Sequence, residues 1–317
     1  MILSVISFLV GIMLVIFGAD WLTKGASALA RRFNMSELLI GLTIVAIGTS
    51  LPELVISTGS AIKGSPGLAL GNIIGSNIFN GMFILGVTAL LCPIKFDAKM
   101  LTREIPFNLL ASVVLLLVSG SMLVGGAPGE MITRYGGMLL LCFLAVFVRY
   151  TFSITNEGGE EEPGETLSIA KVVLYIIAGL AALIFGGNLF VDGATEIARV
   201  LGLSEAVIGI TIVSAGSSLP ELAVSVSAAR KGNVGIALGN VLGSNILNIF
   251  FILGVSATIT PIALDGFSYV DYYVLLASSC LIYIVARFGG KAVITRYEGA
   301  LLVAGYVAYT TWLVMNA

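Results

Sequence analysis

Histidine is absent from this chain of 317 residues. Its absence excludes zinc proteases of the HExxH kind, Ser-His-Asp hydrolases and haem held through imidazole. Charge is scarce as well: Asp, Glu, Lys and Arg together make up 11% of residues, against about 25% in ordinary soluble domains. Only three cysteines occur, Cys92, Cys142 and Cys280. They lie far apart, in or beside apolar runs, so neither a disulfide framework nor a CxxC metal site can be built from them. They read as small buried hydrophobes. Net charge is −2 without a basic cluster, which argues against nucleic acid as a partner.

What remains is apolar. The AVILMFWYC residues reach 58%, too many for one water-soluble core to hide. The lipid bilayer is the natural solvent, and the chain reads as an integral, multi-pass protein of the cell membrane. Each helical crossing needs about 20 residues. Apolar runs between charges and Gly/Pro punctuation give ten spans, near 2–22, 37–62, 67–91, 104–122, 132–150, 168–190, 205–229, 235–260, 269–287 and 293–315. Ten-residue alternating strands are not visible, and a bilayer admits only helices or closed barrels. The expected class is therefore an all-α membrane protein with ten transmembrane helices. The first run, MILSVISFLVGIMLVIFGADW, lacks a basic start and reaches full span length, as a membrane helix does and a cleaved signal peptide does not.

Positive residues favour the cytoplasmic side. With the amino terminus outside, thirteen of the 16 Lys and Arg residues fall in cytoplasmic loops, and only Lys63, Arg134 and Arg199 fall outside. Both termini are thus expected outside. The one hydrophilic stretch, TFSITNEGGEEEPGET at 151–166, reads as a flexible, acidic cytoplasmic linker. It separates residues 1–150 from 167–317.

Those two parts are related. Residues 41–94 and 209–262 align without a gap at an offset of 168, and 32 of the 54 positions are identical. Upstream, Gly18 meets Gly186, Gly25 meets Gly193 and Ser36-Glu37 meets Ser204-Glu205; downstream, ITRY at 132–135 recurs at 294–297. The copies start five spans apart. An odd number of crossings turns the second upside down, giving two inverted five-helix repeats, and such repeats commonly place a transport site at the membrane midplane.

The best-matched residues are polar. Glu53 and Glu221 read as the only carboxylates near the middle of a span. An ionised carboxylate there costs about 2.5–3.5 kcal/mol on insertion scales, and no Lys or Arg lies at similar depth to offset it. A bound cation supplies the missing charge most simply. Pro52 and Pro220 lack an amide hydrogen, so the carbonyls of Gly48 and Gly216 lose a helical donor, and both glycines favour local opening. The hydroxyls of Thr49, Ser50, Ser217 and Ser218 add hard oxygen ligands. GNIIGSNIFN (71–80) and GNVLGSNILN (239–248) place Ser76 with Asn80, and Ser244 with Asn248, at i and i+4. Gly71, Gly75, Gly239 and Gly243 form small-xxx-small surfaces for close helix approach. Asn72, Asn77, Asn240 and Asn245 serve either as ligands or as interhelical glue, with glue favoured. Oxygen ligands with two carboxylates suit Ca2+ or Na+ rather than zinc or copper. Competition of both ions for the same oxygens is a physical basis for exchange.

GTSLPE and GSSLPE, each followed by GN..GSNI..N, resemble the two alpha-repeats of the calcium/cation antiporter superfamily, most closely its prokaryotic sodium/calcium exchangers. The resemblance extends over all ten spans. It implies an inverted-repeat antiporter with Ca2+ and Na+ as cargo and no cofactor, working by alternating access as spans 1 and 6 slide across the other eight. It further implies ion ligands at Glu53, Glu221, Thr49, Ser50, Ser217, Ser218, Ser76, Ser244, Asn80 and Asn248, with backbone carbonyls near Ala46 and Ser214. Some members carry an acidic residue where Asn248 stands, and the large regulatory loop of animal members is replaced here by 151–166. A Ca2+/H+ or K+-dependent cation antiporter of the same fold stays open, as does a channel. A membrane enzyme would need a nucleophile–base pair or a His/Asp metal site. One chain suffices to build the site, and the sequence leaves oligomeric state open.

The charge count makes a direct prediction about sidedness. In a cysteine-free background, Glu160→Cys should react with impermeant maleimide only from the cytoplasmic side and Gly266→Cys only from outside. Reversed labelling would refute the orientation.

Overall fold

The computed structural model describes residues 2–64, 66–96, 98–119, 131–154, 167–202, 214–264, 269–288 and 292–316. Seven helices are long and apolar enough to cross a membrane, and a bent pair makes an eighth. In chain order the principal helices are α1 (Ile2–Arg32), the bent pair α2 (Glu37–Thr49) and α3 (Leu51–Ile62), α4 (Gly67–Leu91), α5 (Glu104–Val118), α6 (Arg134–Ile154) and α7 (Ile169–Val200). There follow α8 (Ser214–Ser217), α9 (Leu219–Arg230), α10 (Val234–Ile259), α11 (Tyr269–Phe288) and α12 (Arg296–Asn316).

Each of these long helices overlaps an expected span, α1 and α7 running ten residues past the expected ends, and a short helix, Ala98–Thr102, falls between two spans. The apolar part of α11, Val270–Val285, is shorter than a full span. The seventh expected span is described only from Ser214 onward, and of the acidic linker only 151–154 is described, as the last turn of α6. An all-α chain is not quite what forms. Ile94–Lys95 (β1) pairs antiparallel with Val293–Ile294 (β4), and Met131–Ile132 (β2) pairs with Ile262–Ala263 (β3). Pro93 and Pro261 cannot continue the preceding helix, and the short extended segments after them leave backbone groups that the other half's ITRY segment satisfies.

Burial sorts the helices into layers. The apolar stretch of α10 is 94% buried and that of α4 78%, against 22% for α1 and α7 and 11% for α12. The most apolar helices are therefore not the inner ones. Lipid solvates α1, α7 and α12, whereas α4 and α10, which carry the Gly-Asn-Ser segments, run through the centre. Their side chains Ile73, Ile78, Leu242, Ile246 and Phe250 anchor the core. Gly239 and Gly243 of α10 lie against Leu38, Gly41, Leu42 and Ala46 of α2, with backbone atoms too close to admit a Cβ.

On the outside, α1 and α7 form a pair of their own. At 31 and 32 residues they exceed the roughly 20 needed to cross. Glycines recur every seventh residue in each, at Gly11, Gly18 and Gly25 and at Gly179, Gly186 and Gly193. A methyl on Gly18 would lie 2.8 Å from the Gly179 carbonyl oxygen, and one on Gly179 would lie 2.6 Å from the Leu22 nitrogen. Such backbone contact is how helices associate where lipid removes the hydrophobic incentive. Gly18→Leu should therefore separate the pair and lower stability by about 1–3 kcal/mol, as overpacking does. Thermal denaturation in detergent should show it, and the lipid-facing Phe17→Leu should be nearly silent.

Candidate functional site

The polar centre forms where two helices break. Between α2 and α3, Ser50 has φ −84° and ψ 8°; between α8 and α9, Ser218 has φ −93° and ψ 10°. The α2–α3 axes meet at 48°. Pro52 and Pro220 therefore do not sit in a kinked interior. They occupy the first turn of a new helix, where the missing N–H is not needed. The ladder is not wholly severed: the Ser50 N–H donates to the Ala46 carbonyl at 3.0 Å, and Leu54 and Leu222 N–H groups donate to the Ser50 and Ser218 carbonyls at 3.1 Å. The Ala46 carbonyl accepts that bond and also lies 3.4 Å from Thr49 Oγ1. Ser214 begins α8, and its side chain lies outside the described residues. Gly48 and Gly216 serve differently from expectation. Neither has positive φ, and a methyl on either would strike Leu180 or Val191 of α7. They let α7 lie down against both breaks.

The break hydroxyls cross between the copies. Ser50 Oγ donates toward Glu221 Oε1 at 3.1 Å, and Ser218 Oγ donates to Glu53 Oε1 at 3.0 Å. Ser50 also contacts Ser244 Oγ at 3.0 Å, and Ser244 Oγ reaches Glu221 Oε1 at 3.4 Å. Helical spacing puts Ser50 beside Glu53 of its own copy, yet its hydroxyl turns to the carboxylate of the other. Thr49 Oγ1 donates to Asn240 Oδ1 at 2.9 Å, and Ser217 Oγ to Asn72 Oδ1 at 3.4 Å.

The asparagines hold this arrangement. Asn240 Nδ2 donates to the Glu221 carbonyl and to Ser225 Oγ, and Asn72 Nδ2 donates to Ser57 Oγ. Asn77 Nδ2 donates to the Asn245 carbonyl at 3.1 Å, Asn248 Nδ2 to Asn77 Oδ1 at 3.0 Å, and Asn80 Nδ2 to Asn245 Oδ1 at 3.1 Å. Asn80 and Asn248 each fall in a π-helical turn, Phe79–Ile84 and Asn248–Leu253. The wider turn re-aims a side chain that a regular helix would direct elsewhere.

A pattern of unmet bonding emerges. Glu53 Oε2, Glu221 Oε2, Ser76 Oγ, Asn80 Oδ1 and Asn248 Oδ1 are buried and have no hydrogen-bond partner among the described residues. Glu53 is 0% and Glu221 1% exposed, and neither carboxylate takes part in an ion pair among the described residues. All five are oxygens; Thr88 Oγ1, Asn108 Nδ2 and Thr195 Oγ1, elsewhere on the helices, are likewise without a partner among the described residues. Oxygens without donors are groups a positive ion satisfies, and an unpaired buried carboxylate costs several kcal/mol. A cleft lined by Ile47, Leu51, Leu54, Leu247, Phe251 and Ile252 reaches Ser50 from one side.

Sequence reading missed three polar contacts. Glu104, in the first turn of α5, is 2% exposed and accepts from the Tyr150 hydroxyl of α6, so buried carboxylates are not confined to the centre. Tyr309 donates to Asp271 at 2.7 Å, joining α12 to α11. Asp20 of α1 pairs with Lys24 at 2.8 Å and with Lys231, in the turn after α9. A tyrosine 46 or 38 residues from its acid carries no local signal.

With this geometry in hand, comparison with known proteins is informative. Residues 3–153 and 171–315 match the family profile described as "Sodium/calcium exchanger protein". The sodium/calcium exchanger MaX1 of Methanosarcina acetivorans is 36% identical over 338 aligned residues, covering 95% of each chain. The inner membrane protein YrbG of Escherichia coli is 35% identical, covering 99% of this chain and 97% of its own. The solved sodium/calcium exchanger from Methanococcus jannaschii superposes with a TM-score of 0.83 at 34% identity over 98% of both chains.

The hydrogen bonds rank the supporting asparagines. Asn240→Ala removes partners from Thr49, Ser225 and the Glu221 carbonyl, and should cost about 1–3 kcal/mol. Asn72→Ala, whose bond to Ser217 is longer, should cost less. Ion-free thermal denaturation of the two variants checks the order.

Proposed function

Because the chain belongs to the sodium/calcium exchanger family, we propose that it is an antiporter exchanging Na+ for Ca2+ by alternating access at a site built around Glu53 and Glu221. The observation that carries this reading is the five buried oxygens on Glu53, Glu221, Ser76, Asn80 and Asn248 that have no partner among the described residues, two of them on carboxylates that no cation among those residues neutralises. The chain is a multi-pass membrane transporter, not an enzyme, and the ions are cargo.

Two carboxylates balance one Ca2+ in full. Neutral oxygens from Ser76, Asn80 and Asn248 complete a hard-oxygen shell of the kind Ca2+ and Na+ favour, with Thr49, Ser50, Ser217, Ser218 and Ser244 at its edge and the Ala46 and Ser214 carbonyls beside the breaks. Na+ ions drawn to the same two charges displace Ca2+, so the site holds one cargo or the other. Rebinding of either before reorientation satisfies the carboxylates, whereas an empty site leaves them unpaired in a medium of low dielectric. That penalty disfavours an empty passage and couples the two fluxes.

In this reading, residues 1–150 and 167–317 are two inverted five-helix repeats, ten spans in all, with both termini outside and 151–166 in the cytoplasm. The moving part is α1 with α7. Their glycine contact holds them as one body, most of their surface faces lipid, and α7 lies across both breaks. Sliding this pair exposes the site to one side and then the other.

Ca2+ uptake into proteoliposomes, driven in turn by Na+, K+ and pH gradients, tests the proposal. The Na+ gradient should drive uptake and the other two should not. Glu53→Gln and Glu221→Gln should each abolish uptake while eluting as folded protein in size exclusion. Near-normal uptake by either variant would remove that glutamate from the site.

A further inference from the structure

Hydrogen-bond chemistry fixes more of the site than its ligands. A backbone carbonyl can only accept, so the Asn77 side chain must turn its Nδ2 toward the Asn245 carbonyl, 3.1 Å away. That choice sends Asn77 Oδ1 the other way. Facing it at 3.0 Å is the amide of Asn248, which can approach an acceptor only with its NH2 group. Asn248 Oδ1 is then left pointing where no donor among the described residues meets it. Each step is forced by the one before, and the chain of constraint begins at an atom that cannot flip. Asn77 and Asn248 are both 1% exposed, out of contact with bulk water.

The equivalent residues of the other copy meet at the corresponding amide contact. Asn80 Nδ2 donates to Asn245 Oδ1 at 3.1 Å, and Asn80 Oδ1 is likewise without a partner. Each amide is thus held by an asparagine of the other copy.

We propose that Asn77 and Asn245 are positioning residues: they pin the amides of Asn248 and Asn80 so that both present oxygen, never NH2, to the cation. The inference rests on the Na+/Ca2+ reading above and adds a requirement to it. An amide has one useful end. Turned over, it would aim two N–H donors at a positive ion and subtract from binding. A carboxylate has no wrong end, so Asn77 matters only while an amide stands at 248. Residues that orient metal ligands typically change affinity by about 10–100-fold when removed.

The test is equilibrium Ca2+ binding to the full-length protein in detergent, by calorimetric titration, in two backgrounds. Asn77→Ala should weaken Ca2+ binding by about tenfold or more in the otherwise native protein. The same substitution combined with Asn248→Asp should bind no more weakly than Asn248→Asp alone, because the carboxylate needs no orienting and loses only an opposing oxygen. Asn77→Ser, too short to reach Asn248, replaces the alanine variant if size exclusion shows that one to be misfolded. An equal loss in both backgrounds, or no loss in the native one, overturns the inference while leaving the transport reading intact. Absence of Ca2+ binding by the native protein itself overturns both.

Discussion

A carboxylate taken out of water must meet positive charge or give up its own, and the arrangement around Glu53 and Glu221 answers to that condition. Neither has a cationic partner among the described residues, and each accepts a hydroxyl from the opposite copy. The hydroxyls reach only because α2–α3 and α8–α9 break at Ser50 and Ser218. The breaks fit only because Gly48 and Gly216 admit the side chains of α7. Asn80 and Asn248, whose amides bond to asparagines of the other copy, each stand in a π-helical turn of the central helices. These departures from ideal helix gather around two charges.

The layering follows the same logic. A polar cluster inside a bilayer must be shielded by helices that are themselves able to meet lipid. The two helices richest in Gly, Asn and Ser, α4 and α10, therefore lie innermost, although α1 and α7 are more apolar. Hydropathy alone does not rank the helices by burial: α12, the least apolar of the long helices, is also the least buried.

Much of this could be read from residues alone. Repetition at an offset of 168 drew attention to Glu53 with Glu221 and to the asparagine-rich segments, and the structure gathers those residues in one place. What sequence could not supply was the partner of each group. Spacing tells which residues share a helix face, so Ser50 is read as a neighbour of Glu53, whereas its hydroxyl bonds to Glu221. Proline was read as an interior kink because the missing N–H is visible in sequence while the torsions of Ser50 are not. Gly48 and Gly216 were read as weak points because the approach of Leu180 and Val191 depends on how α7 packs. The acid–tyrosine contacts at Glu104 and Asp271 escaped notice for the same reason.

The crossing of hydrogen bonds between copies also has a consequence in time. Ser218 is made 165 residues after Glu53, and Asn245 is made 168 residues after Asn77. At a synthesis rate of about 5–20 residues per second, roughly 10–30 s separate a group from its partner. Through that interval the first half sits in the bilayer with its carboxylate and amides unmet, as do β1 and β2, whose partners β4 and β3 are also later. The nascent first half is thus a membrane protein with polar vacancies, exposed to whatever surveys the bilayer for unassembled helices. Its safety depends on prompt arrival of the second.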